Sequence, residues 1–266
     1  MPIKGGPIAV TEYYTGWMDF WGFRHNPADP PRVVGTFEDM MNHNASVVFY
    51  MFHGGTSFGF GAATSSGAPL VTSYDYDAPM SEAGDPRPLY YMIRDATAKY
   101  LPLPDGEPPG PSKKMHLGEV ELGESISLSE GLTEVKLNGT PLRGWTMEAV
   151  PVTKNRDVSY ILQLLLDAEG QGEVPGFFHG TFQLPQGEPA DTFLDPRGWG
   201  KGIAFVNGIN LGRYWATAGP QITLYVPAPF LLAYPEDNRL VLLELEMVPG
   251  DSRVRLVDTP KLDADF

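Results

Sequence analysis

The sequence predicts two kinds of fold in one chain, an α/β region followed by an all-β region. Three observations support this prediction. Apolar runs alternate with amphipathic stretches up to about residue 100, which is typical of βα units. A proline-rich segment then interrupts the pattern, because proline cannot continue a helix. Beyond it, short alternating runs are separated by turn residues, as in an antiparallel sandwich or jelly roll.

The α/β region is predicted as strand, helix, strand, long loop and helix. The apolar run ending at Val10 follows two glycines, which is typical of a strand buried in a parallel sheet, and predicts a strand over 6–12. Helical periodicity predicts an amphipathic helix over 32–43. The β-branched and aromatic run 46–52 predicts the next buried strand, and a glycine-rich loop follows it. A second helix is predicted over 89–100.

The composition changes at the prolines divide the chain into four predicted parts. These are a partial α/β domain at 1–102, a proline-rich linker at 103–115, a short β connector at 116–144 and a sandwich at 145–266. The predicted strands of the all-β region are 119–122, 134–137, 160–163, 180–184, 202–206, 221–226 and 240–245. Two βα units cannot close a barrel, so we expect the α/β part to expose apolar faces and strand edges.

Composition excludes several classes of function. The net charge is −14 and the pI is about 4.7, which argues against nucleic acid or an anionic membrane as partner. No apolar run is long enough to span a membrane, and the start of the chain does not resemble a signal peptide. The chain has no cysteine, and its five histidines lack metal-ligand spacing. We therefore expect no metal and no cofactor.

Glu12 is the first candidate for chemistry, because it follows the first predicted strand among aromatic residues. In α/β barrels the carboxyl ends of the strands carry the catalytic groups. Two interpretations compete. Glu12 is either a solvated turn residue, as most glutamates are, or a glycosidase nucleophile beside rings that stack on a sugar.

Three other features each allow two interpretations. The loop 54–61 is rich in glycine but lacks a Walker pattern, so a tight loop is favoured over a phosphate cradle. The carboxylates of 74–77 have no calcium-binding spacing and suit a solvated turn equally well. Three rings of the all-β region either stack on sugar or pack a core, and the core is favoured. These rings are Trp199, Tyr214 and Trp215.

Four sequence blocks, found in order, carry a resemblance to a known family. The blocks are Glu12 to Trp17, Tyr50 to Phe58, Thr72 to Pro79 and Val206 to Trp215, and Ser81-Glu82-Ala83-Gly84-Asp85 follows the third. Together they resemble the β-galactosidases of glycoside hydrolase family 35. The resemblance implies the C-terminal part of a TIM (β/α)8 barrel followed by a galactose-binding-like jelly-roll β-sandwich. It also implies retaining hydrolysis of terminal β-D-galactose and a lysosomal, vacuolar or secreted location.

The resemblance assigns roles to six residues of this sequence. Glu12 matches the nucleophile, and Tyr76 matches a tyrosine that hydrogen-bonds galactose. The aromatic residues that match the lining of the pocket are Tyr14, Trp17, Tyr50 and Tyr74. The partner implied is a β-galactoside glycan, and a homo-oligomer is an open alternative.

The chain also departs from the family pattern. The match begins at what would be the seventh barrel strand, without the Asn-Glu pair that supplies the acid/base, so we expect an N-terminally truncated protein. Retaining hydrolysis requires two carboxyl groups about 5–5.5 Å apart. No pattern places a substitute opposite Glu12, so we expect the isolated chain to be nearly inactive. Two alternatives remain, a non-catalytic sugar-binding or interaction module in 145–266 and an incomplete gene model. The carboxylates that could replace the acid/base by proximity in sequence are Asp19, Asp75, Asp77 and Glu82.

Overall fold

The computed structural model describes residues 6–127, 136–137, 140–141 and 174–265. Within these residues the chain forms two α-helices, one 3-10 turn and fifteen strands, in the following order. They are β1 Ala9–Tyr14, α1 Pro30–Asn42, β2 Ser46–Tyr50, β3 Thr64–Ser65, β4 Ala68–Pro69, α2 Pro88–Ala98, β5 Gly118–Glu121, β6 Gly123–Ser127, β7 Lys136–Leu137, β8 Thr140–Pro141, β9 Gly176–Gln183, β10 Thr192–Asp195, β11 Gly202–Val206, β12 Ile209–Tyr214, β13 Leu224–Val226, a 3-10 turn Ala228–Phe230, β14 Asp237–Glu244 and β15 Arg253–Val257.

The α/β part contains the predicted strands and helices. β1 and β2 pair in parallel, and both helices lie within two residues of their predicted bounds. α1 begins after Asp29, whose side chain accepts a hydrogen bond from the Arg32 amide, and prolines occupy its first turn. The buried face of α1, with Val33 and Phe37, packs against that of α2, with Ile93. This small cluster is the core of the α/β part.

The prediction that both strands are buried was wrong. Ile8, just before β1, is 51% exposed, and Val48 of β2 is 58% exposed. In the described part of the chain β1 and β2 form a two-stranded sheet, and there is no closed barrel. Each strand therefore has a free edge and one weakly covered face. The expectation that two βα units leave apolar surface exposed is confirmed.

The all-β part is a pair of antiparallel sheets around one large core. The five-stranded sheet has the order β12-β11-β14-β9-β6, and the four-stranded sheet has the order β13-β10-β15-β5. Their inner faces bury a continuous cluster that includes Trp199, Tyr214 and Leu242, each fully buried. β5 and β6 lie in the predicted connector, and both pair with sandwich strands.

The predicted strands that lie in the described residues overlap β5, β7, β9, β11, β13 and β14, whereas 160–163 lies outside those residues. The missed strands of the all-β region are β6, β8, β10, β12 and β15, and the β3–β4 hairpin was also missed. All four residues of β10 are buried, so it lacks alternation. β15 alternates arginine with buried Val254 and Leu256, a signal that was present in the sequence.

The long loop after β2 connects the two parts. The Thr72 hydroxyl donates to the Arg213 carbonyl at 2.6 Å, and the Ser73 amide donates to the buried Gln221 side chain at 2.9 Å. The Gly59 amide donates to the Asn210 carbonyl at 3.0 Å. The sandwich therefore supports the segment that carries the tyrosines expected at the site.

Residues 102–113, which include most of the proposed linker 103–115, form no helix or strand. This segment is nevertheless anchored at its end. The Asp85 carboxylate accepts from the Ser112 amide at 2.7 Å and from the Lys114 ammonium at 2.8 Å.

Candidate active site

Glu12 lies on β1 at an irregularity of the parallel pair. Val10 is opposite Val47, but Tyr13 is opposite Phe49, so β1 contains one residue more than β2 over this span. Such a bulge bends the strand and re-aims side chains, and bulges are common beside active sites. Glu12 is exposed, as a group that meets substrate must be.

Tyr14 contacts Glu12 directly. Its hydroxyl donates to Glu12 Oε2 at 2.6 Å, a short charge-assisted hydrogen bond. This bond is the main reason that the pKa of Tyr14 is raised, because the carboxylate stabilises the protonated phenol. The Tyr14 ring also meets Trp17 edge to face at 5.3 Å and Tyr50 at 5.7 Å, measured between ring centroids.

Tyr76 joins the remaining predicted site residues into one aromatic cluster. Its ring centroid is 5.9 Å from Tyr50, 5.5 Å from Tyr74 and 6.0 Å from Trp17. Burial raises the pKa of Tyr74 to about 12 and raises that of Tyr76 further. Both phenols therefore stay protonated and can donate hydrogen bonds at any physiological pH. The structure thus places all six predicted site residues in one connected group.

The hydroxyl of Tyr76 is buried and has no hydrogen-bond partner among the described residues. A buried donor without a partner costs about 1–3 kcal/mol, so such groups are rare in folded proteins. Tyr76 also has a positive φ of 64°, as does Asp77 at 49°, a backbone region that non-glycine residues seldom adopt. Strain and an unpaired donor at one residue are typical of a ligand-binding position.

Two glycines allow the tyrosine segment to lie against the strand ends. A Cβ atom on Gly16 would overlap the carbonyl oxygen of Tyr76, and one on Gly54 would overlap the carbonyl oxygen of Tyr74. Each glycine belongs to one of the sequence blocks noted above, but the residues they approach are distant in sequence. The close backbone contacts define where Tyr74 and Tyr76 stand relative to Glu12.

Two family profiles match the chain. Residues 2–100 match the glycosyl hydrolases family 35, and residues 175–238 match the beta-galactosidase galactose-binding domain. The α/β part of the chain is therefore similar to glycosyl hydrolase family 35. Similar curated proteins include beta-galactosidase-1-like protein of Mus musculus, 32% identical, and the beta-galactosidases of Felis catus, 28%, and Homo sapiens, 27%. Each alignment covers 97% of this chain but only 57%, 58% and 55% of the relative, respectively, so the chain spans little more than half of their length.

Retaining glycosidases need a second carboxyl group, and four carboxylates lie in or close to the sequence blocks. Each has other partners in the structure. Asp19 contacts His25 at 2.7 Å, and its carboxylate raises the pKa of that imidazole. Asp75 forms a bidentate ion pair with Arg87, whose two terminal guanidinium nitrogens lie 2.7 and 3.0 Å from the carboxylate oxygens.

The other two carboxylates are also engaged. Asp77 accepts from the Ala28 amide at 2.8 Å, and Glu82 accepts from the Thr56 hydroxyl at 2.6 Å. Within the described residues none of the four hydrogen-bonds to Glu12 or to its donor Tyr14. The part of the chain that the structure describes also holds no cluster of three or more His, Cys, Asp or Glu residues suited to a metal ion. None of its helices is long and apolar enough to cross a membrane.

The other features that the sequence offers as sites have structural roles. Trp199 and Tyr214 are fully buried in the sandwich core, and the Lys201 ammonium lies 4.2 Å from the centroid of the Trp215 ring. In the glycine-rich loop the amides of Ser57 and Gly59 donate to backbone carbonyls, so they are not available to phosphate.

Gln221 and Arg87 support the site but were not found by sequence reasoning. Gln221 begins a predicted strand and Arg87 precedes a predicted helix, but neither pattern indicates that Gln221 contacts Ser73 or that Arg87 pairs with Asp75. Only contacts in the folded chain identify them.

Proposed function

We propose that this chain is part of a retaining β-galactosidase, with Glu12 as the nucleophile. One observation carries the proposal: Glu12 accepts a hydrogen bond from Tyr14 beside an aromatic cluster in which the buried Tyr76 hydroxyl has no partner. Sugars present apolar ring faces and hydroxyl groups, which suit aromatic rings and phenol donors respectively. We also infer that residues 1–102 belong to a (β/α)8 barrel, and that the location is lysosomal, vacuolar or secreted.

The proposed reaction begins with attack of the Glu12 carboxylate on the anomeric carbon. The bond from that carbon to the leaving oxygen breaks, its electron pair goes to the oxygen, and a galactosyl ester of Glu12 forms. Tyr14 holds the carboxylate in place, and Tyr76 donates to a galactose hydroxyl. Water then hydrolyses the ester when a general base is present.

Each of the four nearby carboxylates has a hydrogen-bond partner other than Glu12, which supports the proposal that the described residues supply no acid/base for this nucleophile. General acid/base groups contribute about 10²–10⁴-fold to the rate, so we expect the isolated chain to turn over ordinary galactosides very slowly. A binding module in the sandwich is less well supported. Its candidate rings Trp199 and Tyr214 are buried, and Trp215 is half-buried beneath Lys201.

A leaving group that needs no protonation tests the nucleophile separately from the acid/base. We expect dinitrophenyl β-galactoside to convert Glu12 to its galactosyl ester, because departure of the acidic phenol needs no general acid. Without a base the ester should accumulate and appear by intact mass spectrometry as one added galactosyl group.

Glu12→Gln should show no added mass, whereas Glu107→Gln, at an exposed glutamate of the linker, should behave as the natural chain. Peptide mapping should place the modification on Glu12. Absence of the ester at saturating substrate, or its presence in Glu12→Gln, would contradict the proposed nucleophile.

A further inference from the structure

A cavity of about 590 Å³ lies beside the proposed galactose site. Its volume is within the range of about 300–1,000 Å³ that is usual for small-molecule sites. Trp17 belongs to both places, because it lines this cavity and its ring also contacts Tyr14 and Tyr76. The cavity therefore borders the aromatic cluster around Glu12, and Trp17 is the residue that both share.

The walls of the cavity come from two segments that are held together by backbone hydrogen bonds. One wall is the turn from Phe20 to Arg24, and the other is the hairpin of β3 and β4. Phe20 forms an antiparallel bridge with Leu70, and the Trp21 amide donates to the Pro69 carbonyl at 3.0 Å. The turn is also tied to the sandwich, because the Gly22 amide donates to the Gly219 carbonyl at 3.0 Å. Backbone hydrogen bonds therefore fix the positions of both walls of the cavity.

The lining combines aromatic faces with unpaired polar groups. Phe23 is 58% exposed and contacts Phe20, with ring centroids 6.0 Å apart. Arg24, Ser65 and Ser66 also line the cavity. Their side chains make no hydrogen bond or ion pair with another residue of the described ranges 6–127 and 174–265. Exposed rings beside free hydrogen-bond donors are the arrangement that a sugar ring requires.

We propose that this cavity binds the second sugar of the substrate, the residue attached to galactose through the bond that is cleaved. This inference rests on the proposed function, because Trp17 connects the cavity to the galactose site only if galactose lies beside Glu12. Phe23 supplies a stacking face, and Arg24 and the two serines supply donors to the sugar hydroxyls. The cavity then sets the preference for disaccharides over simple galactosides.

The test compares galactose with a β-galactosyl-glucose whose linking oxygen is replaced by sulfur, so that no hydrolysis occurs. Both are titrated into the full chain by calorimetry. We expect the disaccharide to bind about five- to tenfold more tightly than galactose, since one good stacking contact and one hydrogen bond together have this effect. Phe23→Ala should reduce the advantage to less than about twofold and leave galactose binding unchanged.

Phe60→Ala is the matched control. Phe60 is 55% exposed, like Phe23, but does not line this cavity, so its loss should preserve the advantage of the disaccharide. If Phe23→Ala fails to fold, as judged by circular dichroism, Arg24→Met takes its place and should also lower disaccharide affinity alone. Galactose binding without a disaccharide advantage, or an advantage that survives the change at Phe23, overturns this inference only. Failure of both sugars to bind overturns the proposed function as well.

Discussion

The buried Glu82 provides a quantitative test of how stability depends on pH. It lies beside the tyrosine segment, because its backbone amide donates to the Asp75 carboxylate. It is a buried carboxyl group whose Oε1 accepts from Thr56, while Oε2 has no hydrogen-bond partner among the described residues. Burial raises the pKa of this carboxyl to about 8, and the nearby Asp75 carboxylate raises it as well. Hydrogen bonding from Thr56 and the positive charge of Arg87 offset only part of this effect.

The raised pKa makes the stability of the folded chain depend on pH. The folded value of about 8 exceeds the ordinary 4.5, so the contribution of Glu82 is complete below about pH 4.5 and is lost as the pH rises to about 8. At about 1.4 kcal/mol per pH unit, the whole loss is on the order of 5 kcal/mol, and about 3 kcal/mol of it is lost by pH 7.

Glu82→Gln should remove this dependence, because glutamine has the shape of the protonated acid and does not ionise. We expect the two proteins to have similar unfolding free energies near pH 4.5, and the variant to be more stable by about 3 kcal/mol at pH 7. Urea unfolding followed by tryptophan fluorescence across pH 4.5 to 8 measures the difference. Glu188→Gln, at an exposed sandwich glutamate, is the control and should track the natural chain. A gap between Glu82→Gln and the natural chain that stays constant with pH would refute the reasoning.

Two further changes test how the tyrosines are positioned. Gly16→Ala should weaken galactose binding at least tenfold by displacing Tyr76, whereas Gly35→Ala in α1, where a Cβ meets no atom within 4 Å, should not. Equal affinities of the two variants by calorimetry would contradict this. Gln221→Met should lower both stability, by about 1–3 kcal/mol, and galactose affinity. Asn238→Leu, at another buried amide of the sandwich, should lower stability alone, and parallel affinity losses would argue against positioning by Gln221.

Much of the local structure was predictable from patterns within short stretches of the chain. The apolar periodicity of α1 and α2 and the alternating runs of the sandwich need only neighbouring residues to be recognised, because each element turns one face to a core. The prediction failed where burial is decided by other strands. β1 has the composition of a buried strand, yet β2 is its one neighbour in the described sheet, so its surface remains exposed.

The sequence by itself determined the kinds of element, the break between the two parts and the group of six candidate site residues. It did so because apolar periodicity, proline placement and short sequence motifs are local properties. Only the tertiary structure decided that these six residues meet, that Gly16 and Gly54 admit the tyrosine backbone, and that Gln221 supports it. It also decided that the nearby carboxylates have other partners, exemplified by the pairing of Asp75 with Arg87. Contacts between distant segments depend on how the chain packs, and no short stretch of sequence records them.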